Sequence, residues 1–235
     1  RKYLMSLYVR DPAGILLEYA TDAPGFTVDE TPEELGKTLF VPPHDAARAD
    51  DLRVILPQFA LPGEERTPMR DLHFVHRFHR PETADGSTII LLHGTGGNET
   101  DLMPLAHRLA PDATLLGVRG RSTEEGINRW FRRFDATTYD QADIRAEAEA
   151  FAAFVEAATR SYGLDPARTT LLGYSNGANL LGAALPLHPD AMRQAVLIRS
   201  LQVLEDAPEL APDALAGRRV LMLNGARDPF AGMAP

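Results

Sequence analysis

The sequence predicts an α/β fold, a doubly wound and mostly parallel sheet, on three observations. Short apolar runs alternate with amphipathic stretches from about residue 72 onward, the pattern of strands joined by covering helices. Two of the runs, 89–92 and 169–172, end in glycine-rich turns. A long stretch, 141–161, carries Ile144, Ala148, Phe151, Val155 and Ala158 along one side, which is the stripe of a helix lying on a sheet.

The elements follow in chain order. Residues 6–10 and 15–20 read as two strands joined by Asp11-Pro12-Ala13-Gly14. Thr31-Pro32-Glu33-Glu34 introduces a short amphipathic helix near 31–39. Residues 41–68 are a linker rich in Pro, Asp and Arg, with a helix expected at 45–56. Strands are then expected at 72–79, 87–92, 113–118, 168–173, 194–199 and 219–224. Helices are expected at 100–109, 141–161, 176–186 and 207–215. The expected organisation is thus a hairpin segment over 1–40, the linker, and a sheet domain over 69–235.

Composition bounds the partners. A length of 235 residues suits one or two domains. A net charge of −9 argues against nucleic acid and anionic membrane surfaces. The absence of cysteine excludes disulfides and thiol catalysis and suits a cytoplasmic setting. No apolar run is long enough to cross a membrane as a helix. The expected partner is a small molecule, with a homodimer as the assembly the sequence allows.

Two motifs carry chemistry. Gly173-Tyr174-Ser175-Asn176-Gly177 lies between a strand and a helix, where G-x-S-x-G forms a tight turn that lifts the serine hydroxyl out of the sheet. The bland reading is a glycine-rich turn with a helix-capping serine. The second motif is His93-Gly94-Thr95-Gly96-Gly97-Asn98-Glu99, directly after strand 87–92. A dinucleotide loop is disfavoured there, because the third glycine of G-x-G-x-x-G would fall on Glu99. A third segment, Asn128-Arg129-Trp130-Phe131-Arg132-Arg133, suits a pocket for an aromatic ring bearing a carboxylate, with Trp130 and Arg132 as its wall and anion clamp. It equally suits an aromatic anchor packed on the sheet beside solvated arginines.

From about residue 72 the chain resembles the carboxylesterase/phospholipase type of α/β-hydrolase, through these motifs and Gly225-Ala226-Arg227-Asp228-Pro229. It is most similar to small hydrolases paired with hydroquinone-type ring-cleaving dioxygenases. The resemblance implies Ser175 as nucleophile, Asp228 as triad acid, and the N–H groups of Thr95 and Asn176 as the oxyanion hole, with no cofactor. Independently, Asp228 lies just past strand 219–224, and catalytic groups of open α/β sheets collect at strand C-termini. A loop aspartate before proline is the plain alternative. The triad order is Ser, acid, His. His44, His73, His76, His79, His93, His107 and His188 all precede Asp228, so the base is expected beyond residue 235 and the hydrolase domain is expected to lack its C-terminal end.

The first segment resembles the last hairpin of a glyoxalase/extradiol dioxygenase module of the vicinal-oxygen-chelate fold, through residues 6–20 and 21–30. That resemblance implies Glu18 as the carboxylate of a two-histidine, one-carboxylate Fe(II) site in the complete module, with Tyr8 at a position used as an active-site acid. The histidine partners are absent here, so no bound metal is expected. The function expected is a serine carboxylesterase acting on an ester, lactone or ring-fission product, fused to a dioxygenase in aromatic-compound degradation. The alternatives are a non-catalytic hydrolase-fold binding module, a serine hydrolase acting on unrelated lipids or amides, or dioxygenase activity as the main function.

Overall fold

The computed structural model describes residues 3–58, 69–135, 137–211 and 213–228. It divides into two compact units, Arg1–Ala49 and Asp50–Pro235. Residues 59–68 of the expected linker lie outside the described residues, as do 229–235 and therefore Pro229.

In the first unit, β1 (Ser6–Arg10) pairs antiparallel with β2 (Leu16–Ala20). The turn forms because the Asp11 carboxylate accepts the N–H groups of Ala13 and Ile15, at 2.9 and 2.8 Å, while Gly14 takes a φ of 83°. An aspartate folded onto its own downstream backbone competes effectively with an extended chain. The helix expected at 31–39 is a run of turns instead. Gly36 stands there at a φ of 78°, a left-handed conformation that ends helical winding. A 3-10 turn at Pro43–Arg48 leads into α1 (Ala49–Ile55), close to the helix expected at 45–56.

The second unit carries a six-stranded sheet. Its strands are β3 (His76–His79), β4 (Thr88–Leu92), β5 (Thr114–Val118), β8 (Thr169–Tyr174), β9 (Gln194–Ile198) and β10 (Arg219–Leu223), in the spatial order β10-β9-β8-β4-β5-β3. All neighbours are parallel except β3 and β5. This is the predicted doubly wound, mostly parallel sheet, with the histidine-rich strand at one edge. Between β5 and β8 the chain forms a small hairpin, β6 (Ser122–Glu124) and β7 (Ile127–Arg129). Sequence reading missed it, although Glu125 and Gly126 at φ of 52° and 79° make the two-residue turn typical of such hairpins.

Helices cover both faces. α3 (Gln141–Tyr162) and α4 (Asn176–Leu187) pack on one side. Phe74, Ile90, Trp130, Phe151, Phe154 and Leu180 are at the centre of that core. α2 (Met103–Leu109) covers the other face, where Val54, Leu91, Met103 and Leu115 are buried together. The α3 stripe read from the sequence is buried throughout. Asp140 caps its first turn by accepting from Ala142 and Asp143 N–H, and Gly163 ends it at a φ of 62°. The helix expected at 207–215 is absent among the described residues, which form a turn at 213–217. Pro208 and Pro212 deprive that segment of two helical donors.

Candidate active site

Strand order places the candidate site. From β4 the chain moves outward to β5, then crosses back over β4 to β8. Order reverses between β4 and β8, and the crevice beyond their C-terminal ends is where open α/β sheets bind ligands. The two motifs occupy those two ends.

At the end of β8, Ser175 has φ 50° and ψ −113°. A non-glycine residue held there is strained by roughly 1–3 kcal/mol and needs surrounding structure to retain it. Ser175 N–H donates to Ile198 O at 2.8 Å, and Asn179 N–H donates to Ser175 O at 2.9 Å. Ser175 occupies the N-cap position of α4, yet its side chain makes no capping bond. The capping-serine reading is therefore not the one realised. Neighbouring glycines are required by contact. A Cβ on Gly173 would stand 2.7 Å from Ala178 Cα, and one on Gly177 would stand 2.7 Å from His93 O and nearer still to Leu92 O.

The loop after β4 lies against this turn. A Cβ on Gly94 would meet the Tyr174 ring at 2.9 Å. Gly97 N–H returns to Gly94 O, and Gly96 N–H donates to Asn128 O in the β6–β7 hairpin. Thr95 is exposed at the tip of the loop, and its hydroxyl accepts from Arg129 at 3.2 Å. Asn176 is buried in the first turn of α4, and its side-chain carbonyl accepts Trp130 N–H at 2.8 Å. Backbone N–H groups in the first helical turn lack intrahelical acceptors, so Asn176 has the position an oxyanion donor needs.

His93 braces the loop and is unsuited to act as a base. Its Nδ1–H donates to Gly94 O at 2.6 Å, and its Nε2 accepts Gly120 N–H at 3.0 Å. A ring accepting from a backbone N–H must stay neutral at that nitrogen. Burial also lowers its pKa below the usual histidine value, with the Gly94 bond opposing. Nearby, Glu99 and Arg119 pair at 2.6 Å. Burial pushes the Glu99 carboxyl up, but the Arg119 hydrogen bond and charge outweigh it and hold the pKa low.

Among the described residues, the contacts of the other histidines in this unit lie elsewhere. His76 lies on β3 at the far sheet edge and bonds Phe74 O and Tyr162 Oη. His79 on the same strand lies edge-on to His107, and His73 contacts Arg121. His188 caps the opposite end of α4, ~18 Å along the helix from Ser175.

Asp228 stands just beyond β10 with its side chain 9% accessible. Its carboxylate is held by Arg199, Nε to Oδ2 at 2.5 Å and Nη2 to Oδ1 at 3.3 Å. Arg199 follows β9 and was not singled out from the sequence. Asn179 and Asn224 were missed too: their side-chain oxygens accept the N–H groups of Leu201 and Ser200 at 2.7 and 3.0 Å, pinning the same loop. No local pattern marks these three residues, because each acts across chain separations above twenty residues.

Two expected pocket residues are placed elsewhere. Trp130 is 0% exposed, stacked on Phe74 and edge-on to Phe151, and its indole N–H donates to His93 O at 2.9 Å. It is a core anchor and offers no face to a ligand. Arg132 is solvent-exposed, but its guanidinium grips Asp140 at 2.6 and 3.0 Å, so its charge is already matched. Arg129 instead touches the tip of the loop, through the Thr95 hydroxyl.

In the first unit, Tyr8 Oη donates to Glu18 at 2.6 Å, from directly opposed positions of the hairpin. Among the described residues no group of three or more His, Cys, Asp or Glu could hold a metal ion. Glu18 with a tyrosine does not match an Fe(II) donor set, which requires histidine partners.

Comparison with known proteins gives similarity to hydrolases and, over shorter stretches, to ring-cleaving dioxygenases. No protein-family model matches the chain. A putative hydrolase of Bacillus subtilis, MhqD, is 36% identical over 144 residues, covering 61% of this chain and 70% of that protein. The crystal structure of a carboxylesterase from Mesorhizobium loti superposes with a TM-score of 0.63 at 44% identity, over 68% of this chain and 75% of that one. The putative ring-cleaving dioxygenase MhqA of Bacillus subtilis is 54% identical over 44 residues, which is 19% of this chain and only 14% of that protein.

Proposed function

This chain belongs to the carboxylesterase-type α/β-hydrolases, and on that premise we propose that Ser175 is the nucleophile of a serine carboxylesterase acting on an ester, lactone or ring-fission carbonyl. The observation that carries the reading is Ser175 itself, held in a strained turn at a helix N-terminus with its hydroxyl left out of helix capping. Its Oγ attacks the carbonyl carbon, and the electron pair displaced onto oxygen is received by the N–H groups of Thr95 and Asn176. Glycines 94 and 177 let those two loops approach closely enough to share one oxyanion. Asp228 orients the imidazole that takes the serine proton and stabilises its charged form; that histidine is not among those described above. No metal or organic cofactor enters these steps.

The first unit supports a link to ring cleavage. Its hairpin opposes Tyr8 and Glu18, and the chain is similar to a ring-cleaving dioxygenase over 44 residues. On this reading it is the tail of a dioxygenase module, over 1–40, and the hydrolase consumes an aromatic-derived product of that chemistry. A second reading, a non-catalytic binding module, draws on the Asp228 carboxylate being already engaged by Arg199.

Activity-based labelling separates the two. In the intact protein, a fluorophosphonate probe is expected to label Ser175, identified by peptide mass spectrometry, and p-nitrophenyl ester turnover is expected to collapse in Ser175→Ala. Absence of labelling in folded protein, or turnover indifferent to that substitution, would sink the esterase reading in favour of the binding module.

A further inference from the structure

The reaction steps above leave Arg129 without a role, and its head group is underbonded. The residue is only 7% exposed. Among the described residues its guanidinium makes one hydrogen bond, from Nη1 to the Thr95 hydroxyl at 3.2 Å. Its Nε lies 2.8 Å from Glu124 Oε2, an ion pair off the hydrogen-bond direction, and is buried without an acceptor. That same carboxylate oxygen accepts the Nε–H of Arg133 at 3.1 Å. A guanidinium carries five N–H donors, and buried donors are nearly always satisfied. Glu124, Arg129 and Arg133 together bring two cations and one anion, so the trio keeps a positive charge. Glu99 does not cancel it, being paired with Arg119.

The place of this charge gives it a use. Arg129 is the last residue of β7. The next residue, Trp130, donates its backbone N–H to the Asn176 side chain at 2.8 Å, while the Arg129 guanidinium reaches Thr95. Arg129 is thus bracketed by the two residues whose N–H groups would receive the oxyanion, and the exposed Thr95 brings its head group to the rim of the crevice. The surrounding backbone is fixed. Gly96 N–H donates to Asn128 O at 2.9 Å, Asn128 Nδ2 donates to Gly97 O at 2.8 Å, and a Cβ on Gly120 would collide with Arg129 O. We propose that Arg129 is a specificity-determining residue that takes a carboxylate of the substrate, so that the hydrolase selects anionic esters over neutral ones. This rests on the serine hydrolase reading of the same site. A guanidinium suits a carboxylate because its N–H groups can bond both oxygens, and a contact held by hairpin-to-loop hydrogen bonds needs little reordering to form. Arg132, the arginine the sequence suggested for this task, is already matched by Asp140.

The test compares matched substrates on the intact protein. The p-nitrophenyl monoesters of succinic, glutaric and adipic acids are set against the butyrate, valerate and hexanoate esters, and p-acetoxybenzoate against phenyl acetate. The carboxylate then stands on the acyl side in the first series and on the alcohol side in the second. The parent protein is expected to prefer the anionic member of at least one pair in kcat/KM. In Arg129→Met the anionic-to-neutral ratio for that pair is expected to fall by ~10- to 100-fold, the scale of a lost hydrogen bond to a charged group. In Glu124→Gln the ratio is expected to rise, because the guanidinium loses its nearest anion, and a folding defect would not raise it. Each ratio is taken within one preparation, so a loss of folded sites cancels. No anionic preference in any pair of the parent would overturn the inference. So would an unmoved ratio in Arg129→Met with both rates reduced, which is a role in holding the loop only. Calorimetric binding of the amide analogue of the preferred anionic ester, to Ser175→Ala and to Ser175→Ala/Arg129→Met, reads the same contact without turnover. Equal binding by the two overturns the carboxylate contact, whereas turnover persisting in Ser175→Ala overturns the hydrolase reading itself.

Discussion

Two glycines of α4 are expected to respond in opposite directions to the same methyl group. At Gly177 a Cβ would lie 2.7 Å from His93 O and Leu92 C, closer still to Leu92 O. All three atoms are backbone at the end of β4, so no side chain can rotate aside. Forcing a methylene into packed structure costs about 1–3 kcal/mol, more where only backbone can yield. For a unit of this size each kcal/mol moves Tm by roughly 2–4 °C, so Gly177→Ala is expected to lower Tm by about 2–12 °C. The displaced atoms also carry the loop bearing Thr95, so ester turnover is expected to fall by ~10²-fold per titrated site. At Gly182 the nearest atom to a Cβ is Leu197 Cδ2 at 3.6 Å, an ordinary contact. There alanine brings only its better helix propensity, roughly 1 kcal/mol, and Tm is expected to rise by about 2–4 °C with activity intact. Differential scanning calorimetry and active-site titration of both variants decide the matter. A neutral Gly177→Ala would refute the close approach of α4 to β4 on which the site rests.

Further outcomes are expected. Trp130→Phe keeps most of the ring packing but leaves His93 O without its donor, so a loss of about 1–3 kcal/mol is expected in chemical denaturation, against 3–5 for Trp130→Ala. The pKa values of His76, His79 and His93 are all lowered, chiefly by burial. The unfolded chain therefore binds protons that the folded chain refuses once pH drops below about 6.5. Stability is expected to be level above that value and to decline on acidification down to the depressed folded pKa values. In His93→Gln the decline is expected to be shallower, measured as Tm against pH, and a profile identical to the parent protein's would contradict the neutral, doubly bonded state of His93.

Legibility varied with how local each cause was. α3 was read almost to the residue because its apolar stripe recurs within one continuous stretch of sequence. The elbow was legible for the same reason, since five consecutive residues define it. Trp130 was ambiguous in principle: an aromatic among arginines has the same spelling on a pocket wall and in a core, and only the stacking of Phe74 from outside that segment decides. Arg199 carried no signal at all, because its partner lies 29 residues away and its backbone state is imposed by β10. The failed helices at 31–39 and 207–215 show the opposite fault, since Gly36, Pro208 and Pro212 were in view and outweighed the apolar pattern.

The pairing of β4 with β8 aligns Leu92 with Gly173, and this one register serves two masters. It decides which side chains enter the core, because a slip of one residue exchanges the faces of a strand. It also sets how far Ser175 stands from the loop after β4, since the same slip would carry the serine ~3.3 Å along the sheet. Mutation cannot tune the reaction centre along this axis without inverting the interior. On the reading proposed above, variation in substrate is freest where the register has no hold, in the hairpin and loop between β5 and α3.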